Sequence, residues 1–301
     1  CLPGAFSLVL IDEASQCEIP PMIPALFRAQ RVAVVGDPDQ FPPVITMKPK
    51  RDQALRKKHG VTSGEMNKYA FCENNVFSVI PRDDMQTVRL TEHFRCVDEI
   101  AMYFNDEFYR GMLCPCVGDR SNQGYNAYGL KPGMSFVDAP GGDASEMSAA
   151  VEYLKTLRKV GFKGTVGVIS PLRKLANEMR TVCYERKSEL PVGLTDERIN
   201  TANGFQGGQC DIVVFLLGLN DDRIPGRDLW YILADGNKYI YNVSVSRAKV
   251  CFVSVGDKKK ALESGLSRIS KLIPETRLRV EAKVGPGEPI LKHALEKVGI
   301  E

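Results

Sequence analysis

The chain has 301 residues, of which 44% are hydrophobic and 26% are charged, a balance typical of a soluble globular protein. The length is sufficient for two domains of ordinary size, and no apolar run approaches the roughly 18 residues that a membrane span requires. The formal net charge is only +3, which excludes a globally basic protein, so any surface that binds nucleic acid must be a local patch.

Nine cysteines are scattered along the chain. The odd number and the wide spacing favour reduced thiols and a cytosolic setting over a disulfide framework. Cys114 and Cys116, with Cys72, Cys96 and His93 not far away in sequence, could form a metal site. Their spacing matches no usual zinc pattern, so ordinary cysteines are the favoured interpretation.

Apolar runs separated by helical patterns predict an α/β fold. In the first part of the chain we predict strands at residues 6–11 and 31–35, with a short helix between them at 19–27. A polar and basic insertion follows at about 46–75, and we expect it to be partly helical.

A second unit begins near residue 85. Its predicted strands are 87–90, 134–138, 165–169, a strand around Ile199, 212–217 and 250–255, and its predicted helices are 97–109, 145–160, 171–187 and 257–265. Residues 111–132 read as a loop. After residue 274 the chain becomes charged and is punctuated by Pro and Gly, which is typical of a linker or tail.

The first candidate site follows the predicted strand that ends at Ile11. Asp12 and Glu13 come directly after it, and such a carboxylate pair suits one ligand of a hard cation and one base that positions water. An acidic surface turn is the alternative. In P-loop NTPases a strand end of this kind works with a Gly-x-x-x-x-Gly-Lys-Ser/Thr loop, yet none of the 26 glycines here is followed by Lys. Because the first residue is Cys, we expect the chain to be a piece of a longer protein.

Two further loops carry polar residues near predicted strands. Gln40 follows Gly36-Asp37-Pro38-Asp39 and could hydrogen-bond a phosphate oxygen or a water, although this is also a good β-turn sequence. Arg95, in Thr91-Glu92-His93-Phe94-Arg95, could act on a phosphate as a bidentate donor, or it could pair with a carboxylate.

Two more loops precede predicted strands in the second half of the chain. Residues 200–211 hold three glycines within five positions, which would allow the backbone to approach a ligand closely. Residues 241–249 place Arg247 before the strand at 250–255, where a helix with a basic end is the alternative.

Each loop is ambiguous alone, but the order and spacing of the five loops resemble those of the sequence motifs of the superfamily 1 helicases. The resemblance is to the Upf-like group in particular, which includes senataxin and related DNA/RNA translocases. The resemblance covers about residues 6–256. It implies tandem RecA-like P-loop NTPase domains with parallel sheets flanked by helices. The C-terminal part of the first domain would occupy residues 1–84, the second domain 85–273 and a linker or tail 274–301.

The resemblance also implies roles for single residues. Asp12 would hold Mg²⁺, Glu13 would activate the attacking water, Gln40 would sense the γ-phosphate, and Arg95 and Arg247 would be arginine fingers. The implied nucleotide-binding residues are Gln16, Gly207 and Gln209, and the implied nucleic-acid contacts are Ser170, Thr201, Asn203 and Gln206.

The chain departs from the family pattern at three positions. The family usually has Asp where Asn203 stands, an acidic residue where Gln209 stands, and Tyr where Phe94 stands. Asn and Phe keep the size and shape of the usual side chains. Gln209 weakens the expected ribose contact, because an amide accepts hydrogen bonds less strongly than a carboxylate.

The predicted function is that of an ATP-dependent helicase that moves along single-stranded DNA or RNA, with ATP and Mg²⁺ as cofactors. We expect the isolated chain to be inactive as an ATPase, since it has no Gly-Lys. The alternatives are a degenerate NTPase that serves as a nucleic-acid- or protein-binding scaffold, or the motor part of a larger nuclease or defence protein. The expected partners are a single strand of nucleic acid and further domains of the same chain, and no membrane partner is expected. The expected location is the cytoplasm or the nucleus. The basic stretch at 48–58 could be a phosphate clamp or a solvated loop.

Overall fold

The computed structural model describes residues 2–61, 64–80, 87–118, 124–205, 207–219 and 231–274. The chain divides between Arg89 and Leu90 into two compact units. The predicted domain boundary at 84/85 and the predicted tail from residue 275 onward lie outside the described residues.

The first unit contains a short parallel sheet. Strands β1 (Val9–Ile11) and β2 (Val32–Val34) pair in parallel and are connected through helix α1 (Ile19–Phe27). The helix has the predicted bounds and begins with prolines in its first turn, where a missing N–H removes no helical hydrogen bond. Ile11, at the end of β1, belongs to a small buried core.

The basic insertion is partly helical, as predicted. It forms helix α2 (Pro49–Lys58) and a 3₁₀ helix (Gly64–Tyr69), and the chain then enters the short helix α3 (Val76–Val79). The backbone N–H of Val76 donates to the carbonyl of Cys17 at 3.0 Å, which ties α3 to the loop that follows β1.

The second unit is built on a five-stranded, wholly parallel sheet with the strand order β5-β9-β8-β6-β7. Its strands are β5 (Gly133–Asp138), β6 (Val166–Ser170), β7 (Leu194–Thr201), β8 (Cys210–Leu216) and β9 (Ala248–Gly256). Its helices are α4 (Asp98–Phe108), α5 (Asp143–Lys159), α6 (Arg173–Glu185), α7 (Tyr239–Val245), α8 (Lys258–Glu263) and α9 (Ser267–Ser270). Parallel sheets flanked by helices confirm the predicted α/β fold class.

Helices cover both faces of this sheet. Helices α5 and α6 pack against each other and against strands β6 to β9, while α4 packs against α7, β5 and β9. Side chains alternate accordingly: Ile212 and Val214 of β8 join the core under α5 and α6, whereas Phe215 meets the ring of Tyr241 on α7, with ring centroids 6.0 Å apart. Burial on both faces explains why β8 is a continuous apolar run rather than an alternating one.

The structure contradicts one predicted strand. Residues 87–90 are irregular, and the strand lies instead at β3 (Glu92–His93), which pairs in parallel with β4 (Cys114–Pro115) inside the predicted loop. Leu90 is 63% exposed, so the apolar residues at 87–90 have no core to bury them. Strands of two residues are too short to show a period of two in the sequence.

The helices of the described residues include none that is long and apolar enough to cross a bilayer. All eight cysteines in the described part of the chain are free thiols.

Candidate functional site

The carboxylates of the first candidate site lie at the carboxyl end of β1. Glu13 adopts the left-handed conformation, with φ of 50° and ψ of 36°, which is uncommon for a residue with a side chain. Its backbone N–H donates to Oδ1 of Asp12 at 2.8 Å, and its Oε2 accepts from Nε2 of Gln16 at 2.8 Å. Strained backbone of this kind concentrates at functional sites, because the surrounding structure must compensate for its cost.

The second loop lies at the carboxyl end of β2, at the same edge of the short sheet. Asp37 organises it: Oδ1 accepts from the backbone N–H of Asp39 at 2.9 Å, and Oδ2 accepts from Nε2 of Gln40 at 2.8 Å. This turn therefore holds the Gln40 side chain by its amide nitrogen, and the amide oxygen takes no part in that bond.

Gly36 lets the two loops approach each other. A Cβ at this position would lie 3.0 Å from the backbone nitrogen of Ser15 and 3.3 Å from that of Ala14. The backbone N–H of Ala14 also donates to the carbonyl of Val35 at 2.9 Å, which continues the β1–β2 ladder into the loops. The sequence motifs that contain Asp12, Glu13, Gln16 and Gln40 are therefore neighbours in space.

This edge offers oxygen ligands of the kind that Mg²⁺ prefers. In the described part of the chain, no three His, Cys, Asp or Glu side chains form a group that could hold a metal ion. Mg²⁺ is usually bound through one or two carboxylates together with substrate phosphates, so Asp12 and Glu13 fit such an ion at a phosphate-binding site.

Arg247 is buried at the amino edge of the second unit's sheet. It lies just before β9, and only 4% of its surface is exposed. Its Nε donates to the carbonyl of Val243 at 3.1 Å, its Nη1 to the carbonyl of Gly208 at 3.4 Å, and its Nη2 to Oγ of Ser246 at 2.9 Å. These bonds fix the plane of the guanidinium and attach it to the glycine-rich loop.

Ser246 connects Arg247 with Arg95. The backbone carbonyl of Ser246 accepts from Nη1 of Arg95 at 3.3 Å, while its hydroxyl accepts from Arg247 and donates to Val243 at 3.1 Å. Arg95 itself is exposed. One serine thus holds a buried and an exposed arginine at the same edge of the sheet, although the two arginines are 152 positions apart in sequence.

His93 supports the segment that carries Arg95. Its Nε2 accepts from the backbone N–H of Cys96 at 3.0 Å, and its ring packs edge-on against Phe104 with centroids 5.1 Å apart. Burial, together with the positive charge of Arg95, lowers the pKa of His93 from 6.5 to about 4. The imidazole is therefore neutral at pH 7, as its role of hydrogen-bond acceptor requires.

The glycine-rich loop runs back along the sheet from the end of β7 to the start of β8. Phe205 lies over Gly167 of β6, where a Cβ would come within 2.6 Å of the phenyl ring. Gly204 lies against the Asn200 side chain, where a Cβ would come within 2.4 Å of the amide oxygen. Gly207 has φ of 80°, which glycine adopts without strain, and both Gly207 and Gln209 are exposed.

Three of the predicted nucleic-acid contacts lie at the opposite, carboxyl edge of the sheet. Ser170 and Thr201 are paired residues at the ends of β6 and β7, and Asn203 follows in a short 3₁₀ helix. The hydroxyl of Ser170 is buried and accepts from the backbone N–H of Leu172 at 3.1 Å. Asn203 is exposed, and Gln206 lies outside the described residues.

The predicted site residues therefore form three groups. Asp12, Glu13, Gln16 and Gln40 meet at the carboxyl edge of the short sheet; Arg95, Arg247, Gly207 and Gln209 lie at the amino edge of the large sheet; and Ser170, Thr201 and Asn203 lie at its carboxyl edge. Sequence reasoning missed Ser246 as the residue that joins the two arginines. Its only signal was a hydroxyl directly before Arg247.

Two family models match this chain. A family model described as an AAA domain matches residues 72–259, and a second AAA-domain model matches residues 2–48. Helicase SEN1 of Saccharomyces cerevisiae is 26% identical over 285 residues, which cover 87% of this chain and 12% of that protein.

Two further relatives are similar to the same part of the chain. The DNA replication ATP-dependent helicase/nuclease DNA2 of Gallus gallus is 25% identical over 83% of this chain and 23% of its own length. The probable helicase senataxin of Homo sapiens is 24% identical over 86% of this chain and 10% of its own length. The chain thus spans less than a quarter of each relative. Since one family model matches more than half of its residues, the chain belongs to the AAA-domain family of superfamily 1 helicases, in the Upf-like and senataxin-like group.

Proposed function

We propose that the protein carrying this chain is an ATP-dependent helicase that moves along single-stranded DNA or RNA. The observation that carries the proposal is the edge where β1 and β2 end. There two carboxylates and a glutamine amide lie in neighbouring loops, and Gly36 keeps these loops within backbone contact. The proposal assigns the protein to the cytoplasm or the nucleus, where scattered cysteines stay reduced.

In the proposed mechanism, Asp12 would hold Mg²⁺ and Glu13 would take the proton of the attacking water. Mg²⁺, when bound, supplies positive charge that neutralises the phosphate oxygens. Gln16 and Gln40 contact the nucleotide. The bond from Gln40 to Asp37 supports this role, because it orients the amide before any ligand binds.

Arg95 and Arg247 act as arginine fingers in the same proposal. Such a residue typically contributes about 10³ to 10⁵ in rate by neutralising the charge of the departing γ-phosphoryl group. The hydrogen bonds of both arginines to Ser246 support a joint role, since they hold two positive charges at one edge of the sheet. Gly207 and Gln209, in the loop that Arg247 reaches through Gly208, contact the nucleotide beside them.

Ser170, Thr201, Asn203 and Gln206 contact the single strand. The loop that follows Thr201 crosses the sheet over Gly167 and ends beside Arg247. This continuous path supports a coupling of the two functions: a change in the nucleotide at one edge would shift the loop that contacts the strand at the other.

The test uses the full-length protein with the substitution Glu13→Gln. We expect ATP binding to persist while hydrolysis falls by about 10² to 10⁴, which is the usual contribution of a general base. ATP binding is measured by equilibrium titration and hydrolysis by steady-state turnover with a single strand present.

The matched control is Glu18→Gln, which makes the same change five positions away at the cap of α1. We expect this control to keep wild-type turnover. Normal hydrolysis in Glu13→Gln would remove Glu13 from the mechanism, and an inactive wild-type protein that still binds nucleic acid would favour the scaffold function.

A further inference from the structure

One face of helix α2 carries four exposed basic side chains. They are Lys50, Arg51, Lys57 and Lys58, and we call them the basic stripe. At about 3.6 residues per turn, these four positions fall within an arc of about 120° with Ala54 between them. The stripe is about 12 Å long, because Lys50 and Lys58 are eight residues apart and each helical residue adds about 1.5 Å.

The charge of this helix is unusual for the chain. Residues 48–58 contain six basic side chains and one acidic side chain, a net charge of +5, whereas the whole chain carries only +3. Since the remaining residues sum to −2, the net positive charge of the chain comes from this segment. A local concentration of Lys and Arg on one helix face is the electrostatic footprint of a phosphate-binding surface.

Favourable interactions with the helix dipole explain only some of these basic side chains. Basic residues near a helix C-terminus interact favourably with the helix dipole, which explains Lys57 and Lys58. Lys48, Lys50 and Arg51 stand at the N-terminal end, where the same dipole disfavours positive charge. The helix dipole therefore does not explain the basic side chains at this end.

The opposite face of the helix is occupied by internal contacts. Asp52 is buried, and its Oδ2 lies 3.2 Å from Nε of Arg56. Nη1 of Arg56 also donates to Oδ1 of Asn67 at 3.0 Å, which attaches α2 to the following 3₁₀ helix. The single acid of the helix therefore pairs with Arg56 on the inner face and does not neutralise the stripe.

We propose that the basic stripe binds the phosphate backbone of the nucleic acid on which the protein acts. The choice of nucleic acid as the partner rests on the proposed function, and the charge of the stripe complements a row of phosphates. Lys50, Arg51, Lys57 and Lys58 would contact backbone oxygens without reading bases, so the surface adds affinity and no sequence preference.

The experiment measures binding of the full 301-residue chain to a fluorescently labelled 20-nucleotide oligo(dT) strand, without nucleotide, by anisotropy at several salt concentrations. In the variant K50Q/R51Q/K57Q/K58Q we expect affinity to fall at least about tenfold. For single strands the slope of log Kobs against log[salt] changes by about 0.7 for each phosphate contact, so a loss of two or more contacts reduces it by about 1.4 or more.

A matched control removes the same charges from the other unit. K159Q/K163Q/R186Q/K187Q also neutralises three lysines and one arginine, all exposed, and we expect wild-type affinity and slope. The variant K50R/K57R/K58R keeps the charge and should keep the affinity. Circular dichroism of each variant checks that α2 is retained.

The inference is overturned if the stripe variant binds the strand with wild-type affinity and slope, or if the wild-type chain does not bind the strand. It is also overturned if the variant loses binding only to a labelled polyglutamate peptide or to phosphatidylserine vesicles, since the partner would then be an acidic protein or a membrane. Because the assay contains no ATP, its result is independent of the Glu13→Gln test.

Discussion

At the scale of single residues, buried polar groups rather than exposed charges determine the geometry around the two arginines. Arg247 is fixed by two backbone carbonyls and the Ser246 hydroxyl, and Arg95 is held by the Ser246 carbonyl. His93 holds the turn before Cys96 as a neutral acceptor. The folded state of this region therefore depends on one histidine remaining unprotonated.

This dependence predicts a pH effect on stability. Since the pKa of His93 is lowered from 6.5 to about 4, the unfolded chain takes up a proton below pH 6.5 that the folded chain does not bind. Stability therefore falls as the pH drops from 6.5 towards 4, by up to about 3 kcal/mol. His93→Gln removes this titration and still offers an acceptor to Cys96.

The measurement is urea unfolding at pH 7 and at pH 4.5. We expect the wild type to lose about 2 to 3 kcal/mol more than His93→Gln between these pH values. His59→Gln changes an exposed histidine and should behave like the wild type. Equal losses in the wild type and in His93→Gln would contradict the assigned role.

At the scale of elements, the pairing of β6 with β7 depends on a close approach of two glycines. The backbone N–H of Val166 donates to the carbonyl of Gly193 at 3.2 Å, just before β7 begins. A Cβ at Gly193 would meet the backbone carbonyl of Gly164, and backbone atoms cannot rotate away as a side chain can. The amino ends of these strands therefore require glycine at residue 193.

We predict that Gly193→Ala destabilises the second unit by about 1 to 3 kcal/mol, because the strands must move apart to admit a methyl group. Thermal or urea unfolding measures this loss. Gly236→Ala is the control, since its Cβ would meet no described atom within 4 Å. If both variants were equally stable, the close approach at Gly193 would not limit the pairing.

Some helices and strands were predictable from local signals in the sequence. The prolines at the start of α1 and the unbroken apolar runs of β8 and β9 gave predictions within one or two residues of the observed bounds, because these signals are local. The pairing of β3 with β4 was not predictable. It depends on Thr91 and His93 carbonyls accepting from Cys114 and Cys116, and such long-range bonds leave no periodic pattern.

At the scale of the whole molecule, the chain contains the proposed catalytic side chains. Its sequence has no Gly-Lys pair. A P-loop lysine and its glycine-rich backbone bind the β- and γ-phosphates in related NTPases. We expect nucleotide binding by a chain without them to be weak.

We therefore expect the isolated chain to hydrolyse ATP slowly or not at all, even with a single strand present. Steady-state phosphate release measures this. A helicase-like turnover that Arg247→Ala abolishes would contradict the expectation, whereas a turnover that Arg247→Ala leaves unchanged would indicate a contaminating ATPase.

The sequence by itself determined the family and the α/β class, because the order and spacing of five short motifs are properties of the chain. The roles assigned to Asp12, Glu13, Gln40, Arg95 and Arg247 remain proposals. Only the tertiary structure decided which polar groups contact one another. It joined Arg95 and Arg247 through Ser246, and it paired Asp52 with Arg56 so that the rest of α2 keeps its positive charge. Arg95 and Ser246 are far apart in sequence, and Arg56 is one of several basic residues near Asp52. Only burial and hydrogen-bond geometry could therefore identify these partners.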